Sequence, residues 1–152
     1  MVSFALLSSD NRTFREAIDA VARTVDEAII QPTDDTLEIR AVDAANVFSV
    51  EVIIPLGAFD RSSAIAGEAF GVDVDKLSST LGNINKTSGI RLEDGVDDTF
   101  TVTDRSTGDT TEFEIKDPES MRDPPDLAGS VKMMEYDASV SVPRNQFRRV
   151  VR

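Results

Sequence analysis

The side chains that could carry chemistry in this 152-residue chain are carboxylates and arginines, because the sequence contains neither histidine nor cysteine. The missing histidine excludes Ser-His-Asp triads and HExxH metalloprotease sites. The missing cysteine excludes thiolate zinc sites, cysteine nucleophiles and disulfide frameworks. No GxxxxGK[ST] or GxGxxG phosphate-binding sequence is present. We therefore expect no catalytic residue and no cofactor, and we predict that the protein is not an enzyme.

Closely spaced aspartates are the remaining candidates for a metal site. They occur at positions 34–35, 73–75 and 97–98. None of these stretches has the D-x-[DN]-x-[DN]-G spacing of a calcium loop. Aspartate is also a common residue of turns and helix caps. We expect caps and turns at these positions, and no metal site.

The charge of the chain is strongly negative and unevenly distributed. Sixteen basic residues oppose 28 acidic ones, giving a net charge of −12, and only four of the basic residues are lysines. Residues 138–152 contain four arginines and no acid, so residues 1–137 carry −16. Such a surface repels nucleic acid and membranes, but the screening length falls to about 3 Å in molar salt. We interpret the surface as that of a protein from a high-salt cytoplasm; a merely acidic mesophilic protein is the alternative.

Apolar periodicity predicts the elements that position these side chains. A short apolar run at 2–7 predicts a strand, and no run of about 18 apolar residues could span a membrane. Within 12–28, one helical stripe is formed by Phe14, Ile18, Val21, Val25 and Ala28. Strands follow at 28–30, 36–42 and 47–54. The order then repeats, with a strand at 68–72, a helix with apolar Val74, Leu77, Leu81 and Ile84, and strands at 89–93, 99–104 and 110–116.

The first 116 residues are therefore predicted to contain two βαβββ units. Neither unit is long enough to form a core alone, so we expect an α+β fold with antiparallel sheets and both helices on one face. Residues 117–129 contain three prolines and no periodicity, which indicates a semi-rigid linker. A strand at 131–142 and a helix opening at Pro143 follow. Because that helix stops after about two turns with apolar residues uncovered, we expect a second domain that is cut short.

Four stretches resemble the DNA polymerase sliding clamp (PCNA) family, especially its archaeal members. The most specific is LEIRAVDAANV at 37–47; the others are FGVDVDKL at 70–77, IKDPES at 115–120 and SVPRNQF at 141–147. The resemblance implies a first clamp domain at 1–116, an interdomain connector at 117–130 and a truncated start of a second clamp domain at 131–152. It also implies a trimeric ring around duplex DNA that acts as a processivity factor in a prokaryotic cytoplasm, associated with the nucleoid. Its partners would be DNA polymerase, clamp loader, ligase and nuclease.

The resemblance further implies three functional surfaces. Nonspecific contacts to DNA phosphates would come from Arg12, Arg15, Arg23, Lys76, Lys86, Arg148, Arg149 and Arg152. A groove for short partner peptides would be formed by Val42, Asn46, Val47, Met121 and Leu127. The strand joining the next subunit would include Asp109, Thr110, Thr111, Phe113 and Ile115. Because the usually basic positions of the second helix hold Ser79 and Gly82, we expect weak phosphate contact.

Two other function classes stay open from the residues. A truncated clamp relative could act as a decoy, using the edge at 109–116 to cap a normal clamp and block its closure. A small carboxylate-dependent hydrolase is disfavoured by the missing histidine, cysteine and motifs. For the proposed site residues, ordinary roles as strand-end core residues or solvated helix faces are the competing interpretation.

Overall fold

The computed structural model describes residues 5–9, 11–45, 48–62, 68–121, 141 and 143–150. The elements of these residues are β1 (Ala5–Ser8), α1 (Arg12–Ala22), β2 (Glu27–Pro32), β3 (Thr36–Val42), β4 (Ser49–Pro55), β5 (Arg61–Ser62), β6 (Phe70–Asp73), α2 (Val74–Gly82), β7 (Ile90–Asp94), β8 (Thr99–Asp104), β9 (Thr110–Glu114) and α3 (Arg144–Val150). Short 3₁₀ turns occupy Leu56–Ala58 and Pro118–Ser120. Most of the strand predicted at 131–142 lies outside the described residues.

Helix α1 is shorter than the predicted helix at 12–28. Its last turn closes on the Val21 carbonyl, which accepts the amide N–H of Thr24 at 3.1 Å, that of Val25 at 3.2 Å and the Thr24 hydroxyl at 3.2 Å. Val25 is buried in the turn that follows, and Ala28 is buried in β2. The predicted apolar stripe is therefore one core surface, but it is shared between a helix, a turn and a strand.

The two units exchange their first strands. Within the described residues, one sheet has the order β5-β1-β7-β8-β9 and the other has the order β4-β3-β2-β6. Strand β1 pairs with β7 of the second unit, and β6 pairs with β2 of the first unit, both antiparallel. This exchange explains why neither unit forms a core alone. The short strand β5 was not predicted; it pairs with β1 at the edge of its sheet.

Helices α1 and α2 lie side by side over the core. Leu77 is fully buried and Phe14 is 3% exposed, and both belong to one hydrophobic cluster with side chains from the two sheets. The Ser78 hydroxyl donates to Asp19 Oδ1 at 2.7 Å, which joins the polar sides of the helices. The predicted α+β architecture, with duplicated βαβββ units and both helices on one face of antiparallel sheets, is confirmed.

In the second unit, β8 has the predicted bounds, and the bounds of β6, β7 and β9 differ from prediction by one or two residues. Strand β9 ends at Glu114, two residues before the predicted end at 116. The Ile115 amide donates instead to the Asp98 carbonyl at 2.9 Å, and Lys116 exchanges two 2.8 Å backbone hydrogen bonds with Gly71 of β6. The chain thus leaves one sheet and touches the other before the linker begins.

Candidate functional site

The exposed side of the helix layer carries charges of both signs. On α1, Arg12 is exposed and Arg15 is half-buried, with Glu16 and Asp19 beside them. The segments 11–26 and 73–88, which hold both helices, contain five basic and five acidic residues. The rest of residues 1–137 therefore carries the whole charge of −16. An anionic ligand meets the least long-range repulsion at the helix layer.

Arg15 reaches from α1 to the far end of α2. Its Nη1 donates to the Ile84 carbonyl at 3.2 Å. A Cβ at Gly82 would lie 4.0 Å from its Nη2, which is ordinary van der Waals contact, so the guanidinium packs beside this position. The carbonyl end of a helix attracts cations, which favours this placement. Arg15 keeps further N–H donors, since arginine has five.

Lys76 lies against the edge strand. Its Nζ is 5.2 Å from the centroid of the Phe113 ring and 3.4 Å from the Glu112 carbonyl oxygen. An ammonium over an aromatic face is attracted by the ring quadrupole. The structure therefore turns Lys76 toward β9, and its predicted DNA contact stays a prediction.

The other predicted DNA-contacting residues are spread over three elements. Arg23 is exposed just after α1, and Lys86 is exposed in the loop after α2. Arg148 is exposed on α3. Arg149 belongs to α3, but its side chain, like all of Arg152, lies outside the described residues.

A shallow depression between the helices is lined by Asp19, Ala22, Arg23, Asp75, Ser78 and Ser79. Desolvation by neighbouring atoms raises the pKa of the exposed Asp75, as do the charge of Asp26, a hydrogen bond with Asp26 and the charge of Asp73. The carboxylates oppose a bound anion while Arg23 attracts one. Strong phosphate binding at this place is not favoured.

The predicted subunit edge is strand β9. Over Thr110–Glu114 it pairs only with β8 among the described strands, and on its other edge the Glu112 carbonyl oxygen lies 3.4 Å from Lys76 Nζ. Asp109, Thr110 and Glu112 are exposed, and Thr111 and Ile115 are half-buried. Phe113 is 2% exposed and stacks on Phe100 with ring centroids 4.9 Å apart. The Phe113 side chain thus supports the strand from inside, and the backbone edge is what a neighbour could meet.

The predicted peptide groove is only partly described. Val42 is half-buried at the end of β3, whereas Asn46, Val47 and Leu127 lie outside the described residues. Met121 borders a depression that also includes Ala44, Ser120, Asp26 and Glu27. The structure therefore brings Met121 of the connector together with the loop that follows Val42.

Gly71 was missed by the sequence analysis. A Cβ at this position would collide with the Met121 sulfur and lie 3.1 Å from Lys116 Cβ. Lys116 Nζ also pairs with Glu27 Oε1 at 3.0 Å, which fixes the connector start to β2. A glycine inside a strand pattern signals a close approach of another segment, so the Phe70-Gly71-Val72 stretch carried that signal.

Within the described ranges, no group of three or more acidic side chains is arranged to hold a metal ion. None of the helices in the same ranges is long and apolar enough to cross a membrane.

Known proteins provide sequence relatives, although no protein-family model matches this chain. It is 33% identical over 143 residues to the DNA polymerase sliding clamp of Methanothrix thermoacetophila, covering 94% of this chain and 56% of that protein. It is 34% identical over 147 residues to the sliding clamp of Halobacterium salinarum, covering 97% of this chain and 56% of that protein. The chain thus spans about half the length of the curated relatives it matches.

Solved structures of PCNA proteins have the same fold as this chain. The PCNA of A. fulgidus, solved with the C-terminal region of FEN-1 bound, superposes with a TM-score of 0.74 at 25% identity, over 82% of this chain and 49% of that one. The PCNA of Thermococcus kodakaraensis matches with a TM-score of 0.68 at 22% identity, over 82% and 51%. This chain has the PCNA-like, sliding-clamp fold. Together, the relatives and the solved structures support the sliding clamp (PCNA) family for it.

Proposed function

We propose that this chain is part of a sliding clamp subunit, a non-enzymatic processivity factor that encircles duplex DNA. The observation that carries the proposal is the separation of charge by layer. The paired helices are neutral as a layer, while sheets and loops hold the excess of acid. A ring that turns this helix layer inward lets DNA pass without strong attraction or repulsion, and topology instead of affinity retains it.

Phosphate contact would come from single arginines of the helix layer. Arg12, Arg15 and Arg23 are separated by Glu16 and Asp19 along the chain. Each neutralised phosphate adds about 0.9 to the slope of log affinity against log salt concentration. A small slope suits a clamp that slides. The α3 residues Arg148 and Arg149, with Arg152, are proposed to add contacts from the second domain.

Ring closure would use the free edge of β9. A head-to-tail contact closes into a ring when its rotation permits, and pairing also removes an exposed sheet edge. The segments proposed for this arrangement are a first clamp domain at 1–116, a connector at 117–130 and the start of a second domain at 131–152. The proposed contact residues are Asp109, Thr110, Thr111, Phe113 and Ile115, with Phe113 acting from inside the core.

Partner enzymes would dock by short peptides where the loop after β3 meets the connector. The FEN-1 region bound to the PCNA of A. fulgidus supports this part of the proposal. On this chain, Val42, Ala44 and Met121 form the described side of that place. Polymerase, clamp loader, ligase and nuclease are the proposed partners.

The acidic surface supports the proposal that the protein functions in a high-salt, prokaryotic cytoplasm. Repulsion among the excess carboxylates opposes the folded state and is screened by salt. We expect the midpoint of thermal unfolding to rise steadily between 0.2 and about 2 M KCl. Calorimetry with sucrose at equal water activity is the control. A midpoint that is flat or falling with KCl would contradict this part of the proposal.

Two measurements on the whole gene product that carries these residues test the ring: the mass of the assembly, and the protection of the β9 amides from hydrogen exchange. Analytical ultracentrifugation should give a trimer, and dilution should dissociate it. Amide hydrogen exchange at Thr110, Glu112 and Glu114, whose amides point away from β8, should slow at least about tenfold on assembly, since each edge amide gains a hydrogen-bond partner. Strand β1, which is paired on both sides, is the internal control. A monomer at all concentrations, or a trimer without protection of β9, would refute this mode of closure.

A further inference from the structure

The outer face of the four-stranded sheet holds a depression that adjoins the predicted peptide groove at Met121. Arg40, Ile29 and Gly71 are paired across β3, β2 and β6, so they share one side of the sheet. Ile29 is only 5% exposed on this side, although its neighbours Ala28 and Ile30 belong to the core cluster on the other side. Another segment must therefore cover the outer face at Ile29.

The cover is the first turn of the connector. Lys116 is tied to Gly71 by two backbone hydrogen bonds of 2.8 Å. The Met121 sulfur occupies the place that a Cβ at residue 71 would take. The depression that results is lined by Ile29, Arg40, Ala69, Pro118, Glu119 and Met121. Most of its wall is apolar.

Arg40 is the cationic group of this depression. Its Nη2 donates to Gln31 Oε1 at 3.0 Å, which orients the guanidinium. Its Nε is buried and has no acceptor among the described residues. A buried N–H without an acceptor is costly, so a ligand that draws the guanidinium outward and supplies an oxygen to Nε would recover free energy.

We propose that this depression binds the carboxylate of an acidic side chain in a partner peptide. The Arg40 guanidinium turns toward the depression and donates to the carboxylate, and an apolar neighbour in the peptide packs on Ile29 and Met121. Arginine is the side chain best matched to carboxylates, and its charge disfavours a basic residue at this place. The site deepens the proposed function and rests on it.

The site is continuous with the predicted peptide groove. Met121 borders both this depression and the one that contains Ala44. Arg40 and Ala44 are four residues apart, which is about 13 Å in an extended chain. A docked segment of four or five extended residues would therefore reach from the loop after β3 to Arg40.

The test measures peptide binding to the whole gene product by fluorescence anisotropy. The probes are two versions of the C-terminal region of FEN-1 that differ only in the segment expected to reach Arg40, where the acidic peptide carries aspartates and the amidated peptide carries asparagines. Arg40→Gln should weaken binding of the acidic peptide about tenfold and leave the amidated peptide unchanged, because a charge-assisted hydrogen bond is lost. Arg91→Gln removes the same charge from an exposed arginine of the other sheet and should change neither affinity.

Two further measurements separate this site from a general charge effect. Glu119→Gln should strengthen binding of the acidic peptide about twofold, because a carboxylate at the rim of the depression is removed. Arginine-selective nitrogen-15 NMR should show the Arg40 Nε–H resonance moving downfield with the acidic peptide alone. Equal losses for both peptides in Arg40→Gln, or binding without a response at Arg40 Nε, would overturn this site while leaving the proposed tethering intact. If neither peptide binds, the tethering proposal fails, and this site fails with it.

Discussion

Helices α1 and α2 occupy equivalent positions in the two βαβββ units, yet they begin in different ways. At the start of α2, Asp73 Oδ1 accepts the Lys76 amide at 2.9 Å, which is an ordinary N-cap. At the start of α1, the Asn11 side chain makes no cap bond. Its Nδ2 donates instead to the carbonyls of Asn85, at 2.8 Å, and Ser88, at 3.3 Å, in the second unit. One cap position thus serves its own helix and the other joins the two units.

The same contrast appears along the helices and at the hairpin turns. Arg15 of α1 reaches α2, whereas Lys76 of α2 reaches strand β9. The turn between β2 and β3 is held by the Thr33 hydroxyl, which accepts the Thr36 amide at 2.9 Å. The turn between β7 and β8 instead has Asp97 and Asp98, both at φ 55°. The two units therefore share a backbone arrangement, but side chains at equivalent positions make different contacts.

Exchanging Asn and Asp at the two cap positions should give the largest difference in the free energy of unfolding. Asn11→Asp places a carboxylate, at a residue only 1% exposed, against two carbonyl oxygens. We expect it to lower the free energy of unfolding by about 3 kcal/mol or more, since a buried charge without a partner is costly. Asp73→Asn keeps an acceptor for the Lys76 amide and should cost only a few tenths of a kcal/mol. Denaturant unfolding measures both, and equal losses would contradict the assignment of Asn11.

Removing one cation from each helix should separate DNA contact from edge support. In the whole gene product, Arg15→Gln should lower the slope of log DNA affinity against log salt by about 0.9. Lys76→Gln should leave that slope unchanged, because the ammonium lies over Phe113 at the edge strand. The reverse pattern would show that Lys76, and not Arg15, faces the phosphates.

Rebuilding the strained turn should stabilise the second unit. Aspartates at positive φ are less favourable than glycine, which adopts this backbone conformation without steric cost, and than asparagine. We expect replacement of Asp97-Asp98 by Asn-Gly to raise the free energy of unfolding by about 1 kcal/mol. The Ile115 amide would still find the backbone carbonyl of residue 98. A loss of stability would mean that the aspartate side chains have contacts of their own.

The smallest expected effects concern two carboxyls whose pKa values shift in opposite directions. Desolvation by neighbouring atoms and the nearby Asp26 and Asp73 raise the pKa of Asp75, while hydrogen bonds from Ser106 lower the pKa of Asp104. Charged Asp75 therefore opposes folding above its raised pKa, and this penalty disappears as the pH falls through that value. Asp104 stabilises the fold above the usual carboxyl pKa and loses this contribution as the pH falls through its own lowered value.

At pH 7, Asp75→Asn should raise the unfolding midpoint and Asp104→Asn should lower it. Both differences should vanish in strong acid, where the native carboxyls are protonated. Thermal unfolding followed from pH 7 to pH 2 measures the two trends. Shifts of the same sign for both variants would contradict the assigned causes.

Local periodicity predicted the elements because burial of Phe14, Ile18 and Leu77 follows the spacing of a helix face. It could not predict where α1 ends, since Val25 is buried by the fold without being helical. The exchange of β1 and β6 between units also escaped it, because strand partners are chosen by long-range packing.

For the candidate site, the resemblance located surfaces but not contacts. Nothing in the spacing of Lys76 shows that it lies over Phe113, 37 residues later in the chain. The alternation in β3 predicts that Arg40 faces outward, but not that the connector covers its neighbour. Gly71 was the one local feature of the sequence that indicated this close approach of the connector.

The central claim is that topology holds the protein on DNA, and loading on a nicked circle tests it most directly. The whole gene product, loaded on circular duplex DNA, should remain bound through gel filtration in high salt. Cutting the circle once should release it within seconds, and blocking both ends of the cut DNA should restore retention. Equal loss from circular and linear DNA, or stable retention on linear DNA with open ends, would contradict the claim.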